Sequence, residues 1–243
     1  MNPSSSRPTW AEIDLNALAG NYLAIRKRTG RPVMGIVKAN GYGHGAVAVA
    51  RTLSRLGAPI FGVATVDEGA ELRAAGLREP VLVLGCVLSR EVDALFELGL
   101  SPQITDIRFA RELSRQAARR GQPMSVHLKV DTGMRRCGVP APAAVNAAVE
   151  IAGLPWLKLE GVMTHFPCSD ELDGEDFTRG QIEDFRRLTE AMAASGVATG
   201  WRHAANSGAV LGYPESWFDM ARPGMILYGC YPSHDSPRTI AIR

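Results

Sequence analysis

Short apolar runs alternate with amphipathic helical patterns along most of this 243-residue chain. This alternation is typical of βαβ units, in which helices join parallel strands. The eight candidate strands cover residues 33–38, 60–64, 81–84, 102–104, 126–130, 159–163, 202–205 and 218–222. The candidate helices cover residues 14–28, 46–56, 67–75, 90–98, 107–120, 142–152 and 179–194. Eight such repeats predict an α/β protein with one (β/α)8 barrel of the TIM type over residues 14–231.

A lysine at the end of the first candidate strand is followed by a glycine-rich turn. Residues 33–45 read VMGIVKANGYGHG, so Lys38 lies where α/β proteins place active sites. A lone lysine there usually only covers apolar neighbours with its stem while the amine reaches water. The three glycines that follow cost backbone entropy unless the main chain closely approaches a ligand. Their spacing fits neither nucleotide-binding motif, whereas a Schiff base with pyridoxal phosphate explains both the lysine and a phosphate-binding turn.

The same run resembles the lysine motif of the alanine racemase family. Four further motifs recur in the order that this family shows, and together they extend through nearly the whole chain. They are KVDTGMRRCG at 129–138, THF at 164–166, HAANS at 203–207 and RPGMILYG at 222–229.

This resemblance implies a role for each matching residue. Lys38 would bind pyridoxal 5′-phosphate and act as acid or base on one face of the substrate. Arg136 and Met134 would hold the substrate carboxylate, and residues behind the site would be Lys129, His203 and Asn206. Cofactor contacts would come from Lys38, Tyr42, Arg136, His165, Ser207, Arg222, Gly224 and Met225.

Two positions depart from the family motif, and both lie in the 129–138 segment. Arg135 stands where a small residue is common, which leaves the local loop geometry open, and Cys137 replaces a more usual apolar residue. Lys129 carries a carbamate in some members of the family. His165 is expected to bond to Arg222.

Arg222 resembles the arginine that faces the pyridine nitrogen of the cofactor. A guanidinium, with a pKa above about 12, can only donate hydrogen bonds, so the ring nitrogen would stay unprotonated. That weakens the electron sink and favours racemisation over transamination. Taken alone, Arg222 would be better explained as a surface arginine paired with Asp219.

Composition excludes several classes of function. The net charge of +2, from 27 basic and 25 acidic residues, gives no basic patch for nucleic acid. No apolar stretch approaches the roughly 18 residues of a membrane span, and residues 1–7 lack a signal core, so a cytoplasmic protein is expected. The four cysteines are widely spaced and expected to be reduced, and the histidines show no metal-binding pattern, so no metal is predicted.

The resemblance also predicts a domain that this chain does not contain. Residues 232–243 would begin the linker to a C-terminal β domain, and residues 1–13 would hold a strand, at 9–13, that pairs with it. The expected protein is a homodimeric enzyme that supplies D-alanine for peptidoglycan. The alternatives are a single-barrel, non-enzymatic pyridoxal-phosphate carrier and a serine or broad-specificity racemase.

The missing domain would carry the second proton carrier, a tyrosine of the partner subunit. We therefore expect the 243-residue chain to bind pyridoxal phosphate but to racemise alanine about 10²- to 10⁴-fold more slowly than a complete enzyme, the usual loss for one acid or base. Turnover of L-alanine measured with the purified chain checks this. Full racemase activity would contradict it.

Overall fold

The computed structural model describes residues 9–243. Its parallel sheet follows the order of the chain, except that β6 lies off the main path and pairs with the end of β5. The strands are β1 Gly35–Ile36, β2 Phe61–Val63, β3 Val81–Val83, β4 Ser101–Ile104, β5 Met124–Asp131, β6 Val139–Pro140, β7 Leu157–Met163 and β8 Trp201–His203. Parallel neighbours need a crossover connection, and helices provide it between successive strands of the main path, whereas β5 continues into β6 through residues 132–138 without a helix.

Helices flank the sheet, and most begin and end close to the positions that the sequence predicts. They cover Leu15–Thr29, Ala46–Arg55, Val66–Ala74, Val92–Leu98, Ile107–Arg120, Ala144–Gly153, Glu175–Ala194 and the short Ser207–Gly212. Ile107–Arg120 matches its prediction at both ends, because the Asp106 carboxylate accepts the Arg108 N–H at 2.8 Å at the start and Gly121 adopts a left-handed conformation at the end.

The barrel closes through a segment that is not a regular strand, which corrects the predicted strand at 218–222. Ala221 forms an isolated parallel bridge with Val33 of the segment that leads into β1. On the other side, the Arg222 N–H donates to the Ala205 carbonyl just beyond β8, at 2.9 Å. These contacts join the last segment to the first and complete the predicted barrel.

Local conformation explains why this last segment pairs so briefly. Phe218 has a φ of 43°, which is outside the extended region. Pro223 has no N–H to continue the ladder. The closing segment is therefore limited to the few residues between them.

Both ends of the chain lack regular strands within residues 9–243. Residues 9–14 form no regular secondary structure, so no strand forms at 9–13, and the part of that prediction that falls on residues 1–8 lies outside the described residues. The tail at 232–243 forms no strand and packs against the barrel. The Asn21 side chain holds the end of this tail through two hydrogen bonds. Its oxygen accepts the Arg243 N–H and its amide group donates to the Arg243 carbonyl, both at 2.8 Å. The predicted pairing with another domain remains a prediction.

The packing around β5 accommodates a buried histidine. The register between β5 and β7 shifts between Val126 and His127, as at a β-bulge. A Cβ at Gly161 of β7 would lie 2.3 Å from His127 Nδ1, so only glycine leaves room for this ring. Among residues 9–243, no helix is long and apolar enough to span a membrane.

Gly161→Ala is expected to destabilise the protein by about 3 kcal/mol, because the added methyl group overpacks the core and displaces the His127 ring from its hydrogen bond with His203. The matched control is Gly180→Ala on the exposed face of the helix Glu175–Ala194, where an added Cβ meets nothing within 4 Å. It should stabilise by about 0.5–1 kcal/mol. Urea unfolding of both variants measures these two changes in stability. Equal changes would contradict the conclusion that the His127 ring leaves no room for a side chain at position 161.

Candidate active site

Lys38 begins a turn of left-handed backbone directly after β1. The φ angles of Ala39, Asn40 and Tyr42 are all 52°, and that of Gly41 is 60°. The turn is hydrogen-bonded, since the Gly41 N–H donates to the Val37 carbonyl at 2.8 Å. A left-handed conformation costs about 1–2 kcal/mol for residues such as Ala39 and Tyr42. Such strain is found mainly where a functional side chain must be placed.

The environment of Lys38 makes its amine easier to deprotonate than that of a free lysine. Burial lowers its pKa, the guanidinium groups of Arg136 and Arg222 lower it further, and the Glu68 carboxylate opposes them. The amine lies 5.9 Å from the centre of the Tyr42 ring. A lysine with a lowered pKa in a cavity is a candidate nucleophile.

Two cavities meet at Lys38, and His165 and Arg222 also line both of them. We name them the Ser207 lobe, of about 200 Å³, and the Lys129 lobe, of about 350 Å³. The two lobes form one cleft at the carboxyl ends of the strands, the rim on which barrel enzymes place their active sites.

The Ser207 lobe is lined by main-chain groups of the segment after Pro223. Ser207 Oγ accepts the N–H groups of Gly224, at 3.0 Å, and Ile226, at 3.3 Å. A Cβ at Gly224 would lie 2.4 Å from the Tyr42 hydroxyl oxygen, so glycine keeps this part of the lobe open. Met225 lines the same lobe and is 40% exposed. Hydroxyl and main-chain N–H groups in a late βα loop are typical of a phosphate cradle.

Asn206 lines the Ser207 lobe, but its contacts are structural. Its side-chain oxygen accepts the N–H of Ala209 and caps the helix Ser207–Gly212, and its amide donates to the Phe166 carbonyl at 2.9 Å. The sequence places Asn206 behind the site, whereas in the structure it lines the Ser207 lobe itself, and its role stays a prediction.

Arg222 is buried in the wall between the two lobes. One terminal nitrogen donates to the Thr164 carbonyl at 2.5 Å and to the Ala204 carbonyl at 3.2 Å. Its Nε has no hydrogen-bond partner within residues 9–243 and is free to serve a ligand. Burial and the nearby Arg136 lower its pKa to about 10, so Arg222 stays protonated at neutral pH.

One alternative for Arg222 is excluded, and one expectation about it is corrected. It does not pair with Asp219, whose carboxylate binds Arg202 at 2.9 Å. Nor does it hydrogen-bond the His165 ring, because Arg222 is oriented by the backbone carbonyl of the residue before that histidine. The pKa of His165 is well below its usual value through burial first and the Arg222 charge second, so the ring is neutral.

The Lys129 lobe gathers four basic side chains, which favour an anionic ligand: Lys38, Lys129, Arg136 and Arg222. Lys129 is 2% exposed, and its amine has only a long contact of 3.4 Å with the Val130 carbonyl. Arg136 is exposed at the rim, and Met134 lies on the same loop without lining either lobe. Cys137 also lines this lobe, near Gln103.

A buried histidine pair lies behind Arg222, and the sequence analysis identified only one of its members. His127 Nδ1 and His203 Nε2 are 2.8 Å apart, and both residues are fully buried. Burial lowers the pKa of His127 to about 4 and that of His203 well below its usual value, so both rings are neutral. Strand alternation could have revealed His127, because it lies two residues before Lys129 and so faces the same side of β5.

The pKa of Lys129, lowered by burial to about 8, gives a stability prediction. The unfolded chain binds this proton up to about pH 10.5 and the folded chain only to about pH 8, so between these values the free energy of unfolding rises with pH. Between pH 8 and pH 10.5, the free energy of unfolding of the wild type should rise by about 3 kcal/mol relative to that of Lys129→Met. Chemical unfolding of both proteins at pH 7 and pH 10 checks it. A constant difference would contradict the burial effect.

Arg135 provides a second test, because its φ is 55° and a side chain in this conformation is strained. Arg135→Gly should stabilise the protein by about 0.5–1 kcal/mol, the strain released less the entropy of glycine. Arg135→Ala removes the same charge but keeps the Cβ, so it should bring no gain. The unfolding midpoints of the two variants check this prediction. An equal gain in stability in both would show that removal of the Arg135 charge, and not release of backbone strain, is responsible.

Comparison with known proteins places the chain in a family. A family profile described as "Alanine racemase, N-terminal domain" matches residues 13–232. The chain is 41% identical over 231 residues to an alanine racemase of Desulforamulus reducens and 42% identical over 234 residues to one of Symbiobacterium thermophilum. These matches cover 94% and 96% of this chain but only 62% of each relative.

Solved structures agree with this assignment. An alanine racemase of Clostridium difficile 630, in complex with cycloserine, superposes with a TM-score of 0.94 at 32% identity, covering 99% of this chain and 67% of that one. One from E. faecalis has a TM-score of 0.91 at 32% identity and covers 99% and 65%. The predicted barrel is therefore confirmed, and the chain belongs to the alanine racemase family, of which it spans the N-terminal domain.

Proposed function

We propose that this chain is the pyridoxal-phosphate-binding barrel of an enzyme that interconverts L-alanine and D-alanine. The observation that carries the proposal is the meeting of the two lobes at Lys38, whose pKa is lowered by burial and by Arg136 and Arg222. One lobe offers hydroxyl and main-chain groups suited to a phosphate, and the other offers basic side chains suited to a carboxylate.

The residues present fit pyridoxal 5′-phosphate. Ser207, Tyr42 and the backbone of Gly224 and Met225 would hold its phosphate in the space that glycine keeps open. The unpartnered Nε of Arg222 would serve its ring nitrogen.

Further residues of the cleft would contact the cofactor away from its phosphate, and would also contact the substrate. Arg136 would contact the phenolic oxygen and the substrate carboxylate, assisted by the Met134 N–H. Lys129, His165 and His203 support these groups from the walls of the cleft and from behind it.

When bound, this cofactor supplies the electron sink that stabilises charge on the substrate α-carbon. The chain itself supplies the proton carrier, since burial and the two arginines lower the pKa of Lys38, and its amine, once deprotonated, can take a proton from the α-carbon and return it. Arg222 remains protonated and only donates, so it does not deliver a proton to the ring nitrogen. The neutral rings of His165 and His203 add no further positive charge to this region.

The second proton carrier, the oligomeric state and the cellular role are proposed from the family resemblance. A tyrosine of a partner subunit would act on the opposite face, which requires a homodimer with active sites at the subunit interface. We place the enzyme in the cytoplasm, where D-alanine would supply peptidoglycan synthesis. The matches to alanine racemases do not favour a non-enzymatic carrier, while a serine or broad-specificity racemase remains a narrower alternative on substrate choice.

Reduction with borohydride in the presence of pyridoxal phosphate is expected to leave a pyridoxyl group on Lys38, detected by mass spectrometry of peptides. The Lys38→Ala variant should lose this label. Lys158→Ala, which removes an exposed lysine on β7, should keep it. Label spread over surface lysines, with Lys38 unmodified, would overturn the proposed function.

A further inference from the structure

Glu68 makes two hydrogen bonds that the proposed chemistry does not use. Its Oε1 accepts the N–H of Ala39 at 2.7 Å, and its Oε2 accepts the N–H of Ala64 at 2.6 Å. Ala39 is the residue directly after Lys38, and Ala64 follows the last residue of β2. One carboxylate therefore ties together the carboxyl ends of two adjacent parallel strands, β1 and β2.

This arrangement departs from ordinary helix capping. Thr65 caps the helix Val66–Ala74, accepting the Glu68 N–H at 3.2 Å. In a capping box, the glutamate at this position returns the bond to the N–H of the capping residue itself. Here the Glu68 side chain instead reaches to Ala64 and across to Ala39, so its carboxylate serves the neighbouring strand ends.

The Ala39 N–H lies where the left-handed turn begins. Ala39 has a φ of 52° and starts five consecutive residues with positive φ, of which only Gly41 and Gly43 are free of a Cβ. Such a backbone persists only when surrounding contacts hold it. Asn40 supports the far side of the turn by accepting the Ala46 N–H at 2.9 Å, and Glu68 supports the near side, next to Lys38.

We propose that Glu68 is the positioning residue for Lys38: its carboxylate, bridging the N–H groups of Ala39 and Ala64, holds the left-handed turn and so aims the Lys38 side chain into the cleft. The role requires a carboxylate, because two N–H donors need two acceptor oxygens. A glutamine provides only one acceptor and turns an NH₂ group towards the other donor. This inference rests on the proposed function only in that Lys38 is taken as the reactive amine.

The test compares Glu68→Gln with Asp67→Asn, an adjacent exposed carboxylate on the same first helical turn. Hydrogen exchange of the segment around Ala39, measured without cofactor, should become about five- to tenfold faster in Glu68→Gln, through the lost charge-assisted bond. It should not change in Asp67→Asn. The rate at which Lys38 acquires a borohydride-fixed pyridoxyl group should fall by a similar factor in Glu68→Gln only.

The change in the labelling rate of Lys38 shows whether Glu68→Gln acts through lost positioning or through the lost charge. Removing the Glu68 charge alone makes the Lys38 amine easier to deprotonate, which would speed the labelling. Slower labelling therefore reports lost positioning. Adding Ala39→Gly to Glu68→Gln should restore much of the rate, because glycine adopts the left-handed conformation without strain.

Labelling and hydrogen exchange together distinguish an error in the positioning role of Glu68 from an error in the proposed function. If wild-type Lys38 takes up no pyridoxyl group, the function is wrong, and the hydrogen-exchange comparison still decides the role of Glu68. If wild-type Lys38 is labelled and Glu68→Gln matches it in both labelling and exchange, the positioning role is overturned. Should Glu68→Gln fold poorly, Glu68→Asp, whose side chain is one methylene shorter and cannot reach both amides, provides the same comparison.

Discussion

The parallel alignment of the barrel segments is the constraint on which the rest of this structure depends. Because β1, β7 and the closing segment run in the same direction, the residues that follow them meet at one rim. Lys38, His165 and Arg222 come from distant parts of the chain and line the same cleft for this reason. Closure by the bridge between Val33 and Ala221 is therefore as important for the site as for the fold.

Basic groups that share a cleft repel one another, and nearby backbone carbonyl groups and a carboxylate partly compensate this repulsion. Arg222 donates to two backbone carbonyls, and Glu68 opposes the effect of the arginines on Lys38. Burial then keeps the Lys38 amine easy to deprotonate while Arg222 remains charged. The environment thus makes the Lys38 amine easier to deprotonate while Arg222 keeps its charge and its hydrogen bonds, a difference that agrees with the roles proposed for them.

Four of the six non-glycine residues with positive φ among residues 9–243 lie in the two loops that carry basic residues of the site; the other two are Trp156 and Phe218. The turn after Lys38 and the loop that contains Arg135 both hold residues with side chains at positive φ. Both are supported by carboxylates that accept main-chain N–H groups: Glu68 in the first and Asp131 in the second, which accepts the Arg135 N–H at 3.0 Å. A carboxylate thus accepts a main-chain N–H in each of the strained loops, beside Lys38 in one and beside Arg136 in the other.

The sequence alone determined the repeating strands and helices, the candidate lysine at position 38 and the motifs around it, because these depend on local periodicity and on residues close together in the chain. It did not determine the contacts between distant residues. His127 meets His203 across 76 positions, and the Glu68 carboxylate crosses to Ala39 from another strand end. Arg222 was expected to bond His165 but is held by backbone carbonyls instead. Such pairs depend on strand register, a β-bulge and barrel closure, which only the complete tertiary packing fixes.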